Sequence, residues 1–111
     1  MNKVRKEFTA FLEMSAARCK EQASALSEDG REDEAVFAKI KLNVYDIFKA
    51  VFNTLGEGDK FLAKLSDIPV GWQVSLEKAE AHGDTGKAHI ERIKLETAEE
   101  IKTRFQQILE A

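Results

Sequence analysis

Residues 34–55, EAVFAKIKLNVYDIFKAVFNTL, form the most apolar stretch of the chain, and the amphipathic segments around it need such a stretch to pack against. Along it, apolar side chains recur every three or four residues, the spacing that places them on one face of an α-helix. They are Val36, Phe37, Ile40, Val44, Ile47, Phe48, Val51 and Leu55. The pattern predicts a helix with a broad face that points into a core.

A second apolar stripe runs along the side of the same helix and leaves it less polar surface than a surface helix requires. This stripe consists of Ala35, Ala38, Leu42, Tyr45 and Phe52, and a similar stripe near the C-terminus consists of Ala88, Leu95, Ala98 and Leu109. Either both sides of the helix are covered within one chain, or another chain covers part of it. The second alternative predicts an interface that includes Leu42, Tyr45, Phe52, Leu95 and Leu109.

Length and composition predict one soluble domain over residues 1–111. A single cysteine, Cys19, excludes an internal disulfide framework, and the absence of an apolar signal segment predicts a cytoplasmic setting. No apolar run is as long as a membrane span. The net charge is −3 with both signs interspersed, which argues against a nucleic-acid partner.

Apolar spacing and glycine positions predict four helices over about residues 3–28, 32–55, 59–82 and 86–110. Gly30, Gly56 and Gly83 follow three of these segments, and glycine readily ends a helix. Pro69 lacks a backbone donor, so a break or kink is expected near residues 66–69. We predict an all-α, four-helix antiparallel bundle of two long αα-hairpins, residues 1–56 and 57–111.

A shift of 53 residues aligns the second hairpin with the first and suggests an internal duplication. The aligned pairs include Phe8 with Phe61, Gly30 with Gly83, Phe52 with Phe105, and the triplet IKL at 40–42 with IKL at 93–95. A duplication would place the two hairpins about a pseudo-two-fold axis.

The segment HGDTGK, residues 82–87, resembles the end of a phosphate-binding loop without satisfying its pattern. Ala81 and Ala88 stand where that loop needs a glycine and a hydroxyl residue. His82 and His89 are seven residues apart across a turn, which is not the helical spacing of paired metal ligands. These residues predict a helix-to-helix turn, and the sequence predicts neither a metal nor a cofactor.

Two Glu-x-x-Glu repeats, Glu77/Glu80 and Glu96/Glu99, are loosely similar to the acidic repeats of all-α nucleotide pyrophosphohydrolases. In that family such repeats bind magnesium from adjacent helices, although the second usually ends in Asp. In a hairpin that turns near residue 84, Glu77 and Glu96 are offset by roughly 6 Å and Glu80 and Glu99 by roughly 15 Å. That spread argues against a shared ion.

Three functions follow from these patterns. The first is a helical interaction or assembly module without catalytic activity, with a protein partner or a second copy in a homodimer. The alternatives are a metal-dependent nucleotide hydrolase-like enzyme that uses the four glutamates, and a bundle that binds a small ligand near Trp72 and Pro69.

Overall fold

The structure, a computed structural model, describes residues 2–111, and over that range the chain forms four α-helices. They are α1 (Lys3–Glu28), α2 (Glu32–Leu55), α3 (Asp59–Ala81) and α4 (Thr85–Glu110). The predicted all-α class and the two hairpins are confirmed, and the predicted helix ends lie within one residue of those observed.

Side chains and glycines define the ends of these helices. The side chain of Asn2 accepts a hydrogen bond from the backbone N–H of Val4 at 2.8 Å, and that of Asp84 accepts one from Lys87 at 3.0 Å. Both bonds satisfy donors that have no partner within the helix. Gly30 and Gly83 have φ values of 77° and 71°, which allows the backbone to leave one helix and enter the next.

Pro69 lies inside α3, and the helix continues on both sides of it. The sequence predicted either a break or a kink near residues 66–69, and the continuous helix shows that there is no break. An interior proline costs roughly 3 kcal/mol because it removes a hydrogen bond and crowds the preceding turn. Leu65 before it and Leu76 after it are both buried, so packing on both sides holds the helix together.

The helices pack as two close hairpins that meet along α2 and α4. α1 packs along α2, and α3 packs along α4. α2 also packs on α4, more extensively than α1 does on α4 or α3 on α2, whereas within residues 2–111 no Cα atom of α1 lies within 8 Å of one in α3, and these two helices meet only through long side chains such as Phe8 and Phe61. Phe37 meets His89 near the start of both central helices, and Phe52 meets Phe105 near their ends, so α2 and α4 are parallel.

Four buried phenylalanines, Phe8, Phe52, Phe61 and Phe105, join the open ends of the two hairpins. All six pairs among them are in ring contact, and we call them the phenylalanine tetrad. The Phe8–Phe52 centroid distance is 4.8 Å, and its counterpart 53 residues on, Phe61–Phe105, measures 5.0 Å. Phe8–Phe105 and its counterpart Phe52–Phe61 measure 4.7 and 5.0 Å. The tetrad therefore has pseudo-two-fold symmetry.

The two hairpin turns repeat the same backbone hydrogen bonds. In the first turn, Asp29 N donates to Ala25 O (3.1 Å), Gly30 N to Ser27 O (3.1 Å) and Arg31 N to Leu26 O (2.8 Å). In the second turn, His82 N donates to Lys78 O (3.1 Å), Gly83 N to Glu80 O (3.2 Å) and Asp84 N to Ala79 O (2.9 Å). Each bond of the first turn corresponds to a bond of the second turn 53 residues on. The sequence offset is therefore also a repeat of the structure.

The orientation of α2 differs from the one that its strongest apolar pattern predicts. Val36 and Ile47 were expected in the core but are 45% and 40% exposed, whereas Tyr45 and Phe52 of the second stripe are 5% and 2% exposed. The second stripe begins with Ala35 and Ala38, which are 0% and 6% exposed. Most of the second stripe therefore points inward, and part of the first lies at the surface.

Candidate functional site

The five residues predicted as an interface do not form one surface. Tyr45 and Phe52 belong to the core within the chain, Leu42 packs partly buried against that core, and Leu95 packs against a small cluster of α3 and α4 residues. Leu109 is 40% exposed. The prediction placed Tyr45 and Phe52 at a contact between chains, but α1 and α4 already cover them.

A polar groove lies where α1 and α4 flank α2, and we call it the α1–α4 groove. It has a volume of about 670 Å³. Its lining residues are Phe11, Ser15, Arg18, Tyr45, Glu96, Glu99, Glu100, Thr103, Arg104 and Gln107. Three carboxylates and two guanidinium groups thus face one opening.

The hydroxyl of Tyr45 is the buried polar group of the α1–α4 groove. It donates a hydrogen bond to Glu100 Oε2 at 3.2 Å. Burial, reinforced by the negative charge of Glu100, raises the pKa of Tyr45 to about 12. The phenol therefore stays protonated near neutral pH and acts as a hydrogen-bond donor rather than as a base.

Cys19 lies in the main core next to the α1–α4 groove. Burial raises the pKa of its thiol above the ordinary value of 9.0, and the nearby positive charge of Lys41 only partly opposes this shift. A thiol must ionise to act as a nucleophile. Cys19 is therefore a buried structural residue rather than an activated one.

The opposite side of the molecule has a second surface at the position related by 53 residues, and we call it the α2–α3 face. Its residues are Val36, Ile40, Ile47 and Val51 of α2, with Ile68 and Trp72 of α3. Their counterparts on the other side are His89, Ile93, Glu100, Arg104, Ser15 and Cys19. One surface is apolar where the other is mostly polar.

The α2–α3 face combines exposed apolar side chains with an aromatic anchor. Val36 and Ile47 are exposed, whereas Ile40, Val51 and Ile68 are half-buried. Trp72 is also half-buried and packs edge-on against Phe48, with ring centroids 6.4 Å apart. Periodicity alone missed this surface, but the mismatch between Ile47 and its counterpart Glu100 signals it in the sequence.

The acidic repeats are separated and occupied by other contacts. Glu80 accepts a hydrogen bond from Arg92 at 3.0 Å, and Glu77 accepts one from Gln73 at 3.4 Å. Glu96 and Glu99 instead line the α1–α4 groove. Within residues 2–111, no group of three His, Cys, Asp or Glu side chains is placed to hold a metal ion. The four glutamates therefore form no shared acidic cluster within residues 2–111.

Both histidines make contacts within the chain, His89 with another helix and His82 with the end of α3. The ring of His89 meets Phe37 edge-on at 4.6 Å, which joins α4 to α2. The Nδ1 atom of His82 lies 2.7 Å from the backbone oxygen of Lys78 at the end of α3. These contacts give the two imidazoles structural roles.

None of the helices within residues 2–111 combines the length and the apolar character needed to cross a membrane. Comparison of the chain with protein-family models, curated proteins and solved structures finds no match.

Proposed function

We propose that this protein is a helical interaction module without catalytic activity, and that the α2–α3 face binds a helix of a partner protein. One observation carries the proposal. Ile47 is exposed on α2, whereas the repeat places Glu100, an exposed residue that accepts the hydrogen bond of Tyr45, at the matching position of α4. The fold thus accepts a charged residue at this position, and the isoleucine needs another explanation.

The form of the surface supports a helix as the occupant. α2 and α3 contact each other far less than α2 contacts α1, so their outer edges are separated. An amphipathic helix commonly binds an apolar surface of a partner through side chains spaced three or four residues apart. Half-buried Trp72 and exposed Ile47 supply the aromatic and aliphatic contacts that anchor interfaces of this kind.

The proposal can be tested with a synthetic amphipathic helix. The probe is a peptide of about 20 residues, long enough to form a helix, with leucines at heptad spacing, glutamine at the flanking positions and no tryptophan. Trp72 is the only tryptophan of the protein, so its fluorescence reports binding at the α2–α3 face. We expect a saturable change in emission.

Two substitutions make this test specific. Ile47→Glu introduces the residue found at the repeat position and should abolish the fluorescence change while the circular dichroism stays helical. Met14→Glu changes another exposed apolar residue, on α1, and should leave binding unchanged. Equal binding by the Ile47→Glu variant would contradict the proposal. A dimer in light scattering that Ile47→Glu dissolves would replace the partner helix with a second copy of the chain.

A further inference from the structure

A row of basic residues follows one edge of the α2–α3 face. Lys60, Lys64 and Lys78 lie on α3 at spacings that place them on a single stripe of the helix, together with Gly71 and Ser75. Ile68 lies one helical turn after Lys64, and Trp72 lies one turn before Ser75, so both are adjacent to this stripe. All three lysines are exposed.

The charges of these lysines are not used within the chain. Among the ion pairs formed by residues 2–111, none includes Lys60, Lys64 or Lys78, whereas other lysines, such as Lys3 and Lys49, lie near glutamates. Asp67 is the acidic member of the stripe and leaves an excess of positive charge. A partner would therefore meet a basic edge with no competing internal contact.

The facing edge of α2 is different in character. Near the middle and the end of the helix it carries Asn43, Ala50 and Thr54, which are exposed and uncharged. Charged groups on this edge are Glu32 and Lys39 toward the start of α2, with opposite signs, and the exposed Asp46 near its middle, so the edge adds no net positive charge. The positive charge of the α2–α3 face thus comes from its α3 side.

The repeat shows that this basic edge belongs to one half of the molecule. The counterparts of Lys60, Lys64 and Lys78 on α1 are Glu7, Phe11 and Ala25. Glutamates, not lysines, predominate in the matching α1–α4 groove.

We infer that the partner helix bound by the α2–α3 face is acidic and amphipathic, with its apolar side on Ile47 and Trp72 and its carboxylates beside Lys60, Lys64 and Lys78. This inference rests on the proposed function and names the chemistry of the partner. An anionic bilayer is a weaker match, because the chain as a whole carries a charge of −3 and three glutamates line its other groove.

The test compares three peptides that share one leucine pattern and differ only in their flanking residues, which are glutamate, glutamine or lysine. Trp72 emission is titrated with each peptide. We expect the glutamate peptide to bind about tenfold more tightly than the lysine peptide at low salt, and this ratio should shrink as sodium chloride screens the charges.

Charge reversal on the protein provides the matched control. The triple variant Lys60→Glu, Lys64→Glu, Lys78→Glu should invert the preference so that the lysine peptide binds more tightly. A control triple, Lys6→Glu, Lys20→Glu, Lys87→Glu, changes the net charge equally at exposed lysines of α1 and α4 and should keep the original order. An inversion in both variants would attribute the preference to net charge and overturn the inference.

The outcomes separate the two proposals. If all three peptides bind with one affinity, the acidic partner is wrong and the helix-binding function stands. If none binds, the function itself fails. Binding of the native protein to phosphatidylserine vesicles, with no response to the glutamate peptide, would identify a membrane surface instead and would also overturn the inference.

Discussion

The α2–α3 face and the α1–α4 groove occupy matching positions in the two halves of one repeat, yet they differ in chemistry. Ile47, Val51 and Ile68 on the first correspond to Glu100, Arg104 and Ser15 on the second. The phenylalanine tetrad, by contrast, repeats in both residue type and geometry. The symmetric part of the molecule builds the fold, and the part that departs from symmetry is where a specific function can be located.

The largest expected effect tests the symmetric part. Phe8→Ala and Phe61→Ala each remove one ring of the tetrad from a fully buried position and should each cost about 3–5 kcal/mol of unfolding free energy in urea titrations. The two rings have matching contacts within the tetrad, and within residues 2–111 only Phe8 has a further ring contact, with Phe11, so their costs should agree within about 1 kcal/mol. Phe11→Ala, at a half-buried position whose counterpart is Lys64, should cost clearly less. Unequal costs for the first pair would show that the tetrad is symmetric in shape but not in energy.

Glycine substitutions test the same comparison at the turns. Gly56 has φ 76° and ψ −165°, a region essentially reserved for glycine, so Gly56→Ala should cost about 1–3 kcal/mol. An added Cβ would also lie 3.0 Å from Arg5 Nη2, at the flexible end of that side chain. Gly30→Ala and Gly83→Ala lie at repeated turns with open space around the added Cβ, so they should each cost about 1 kcal/mol. Thermal unfolding of the three variants measures all of these costs, and a large difference between the last two would contradict turn equivalence.

The pH dependence of stability tests a group that the repeat does not share, since the counterpart of Tyr45 is Ala98. An unfolded tyrosine ionises near pH 10, whereas the pKa of folded Tyr45 is raised to about 12. The stabilisation is therefore complete below pH 10 and is lost as the pH rises toward 12, by up to about 2 kcal/mol.

The measurement is the unfolding free energy in urea between pH 9 and pH 12, for the native protein and for Tyr45→Phe. The variant lacks the phenol, so its unfolding free energy should fall less steeply over this range. Lysines also titrate in this range in both proteins, so the difference between the two curves is the contribution of Tyr45. Parallel curves would show that the hydroxyl is solvated in the folded protein.

Much of the fold was predictable because its signals are local. Three-four spacing of apolar residues, with Gly30 and Gly83 after two of the helices, was sufficient to place the helix ends and both hairpin turns. The buried side of α2 was not predictable in the same way. The helix is apolar around most of its circumference, so its packing against the other helices, and not its own pattern, determined that Tyr45 and Phe52 are buried while Ile47 is exposed.

The candidate site depended on information that lies outside any single helix. The exposure of Ile47 depends on the distance between α2 and α3. The spacing of apolar residues within α2 gives no information about that distance. The repeat indicates the exposure of Ile47 indirectly. Its counterpart Glu100 is a charged residue expected at the surface, so the equivalent position on α2 is also expected at the surface. A repeat within one chain thus supplies a limited form of the information that related sequences supply elsewhere.

The smallest expected effect concerns Glu91, where the second hairpin buries a carboxylate and the first has Ala38. Glu91 is 5% exposed. Its Oε1 lies 3.2 Å from Lys94 Nζ, and its Oε2 has no hydrogen-bond partner within residues 2–111. Glu91→Met keeps the length of the side chain and removes the buried charge, so it should stabilise the fold by about 1 kcal/mol in urea titrations at neutral pH. Lys94→Met instead leaves the carboxylate without its partner and should destabilise the fold. A loss of stability in Glu91→Met would mean that a further contact stabilises this carboxylate. Glu91 would then be a second place, besides the α2–α3 face, where the two halves of the repeat differ for a specific reason.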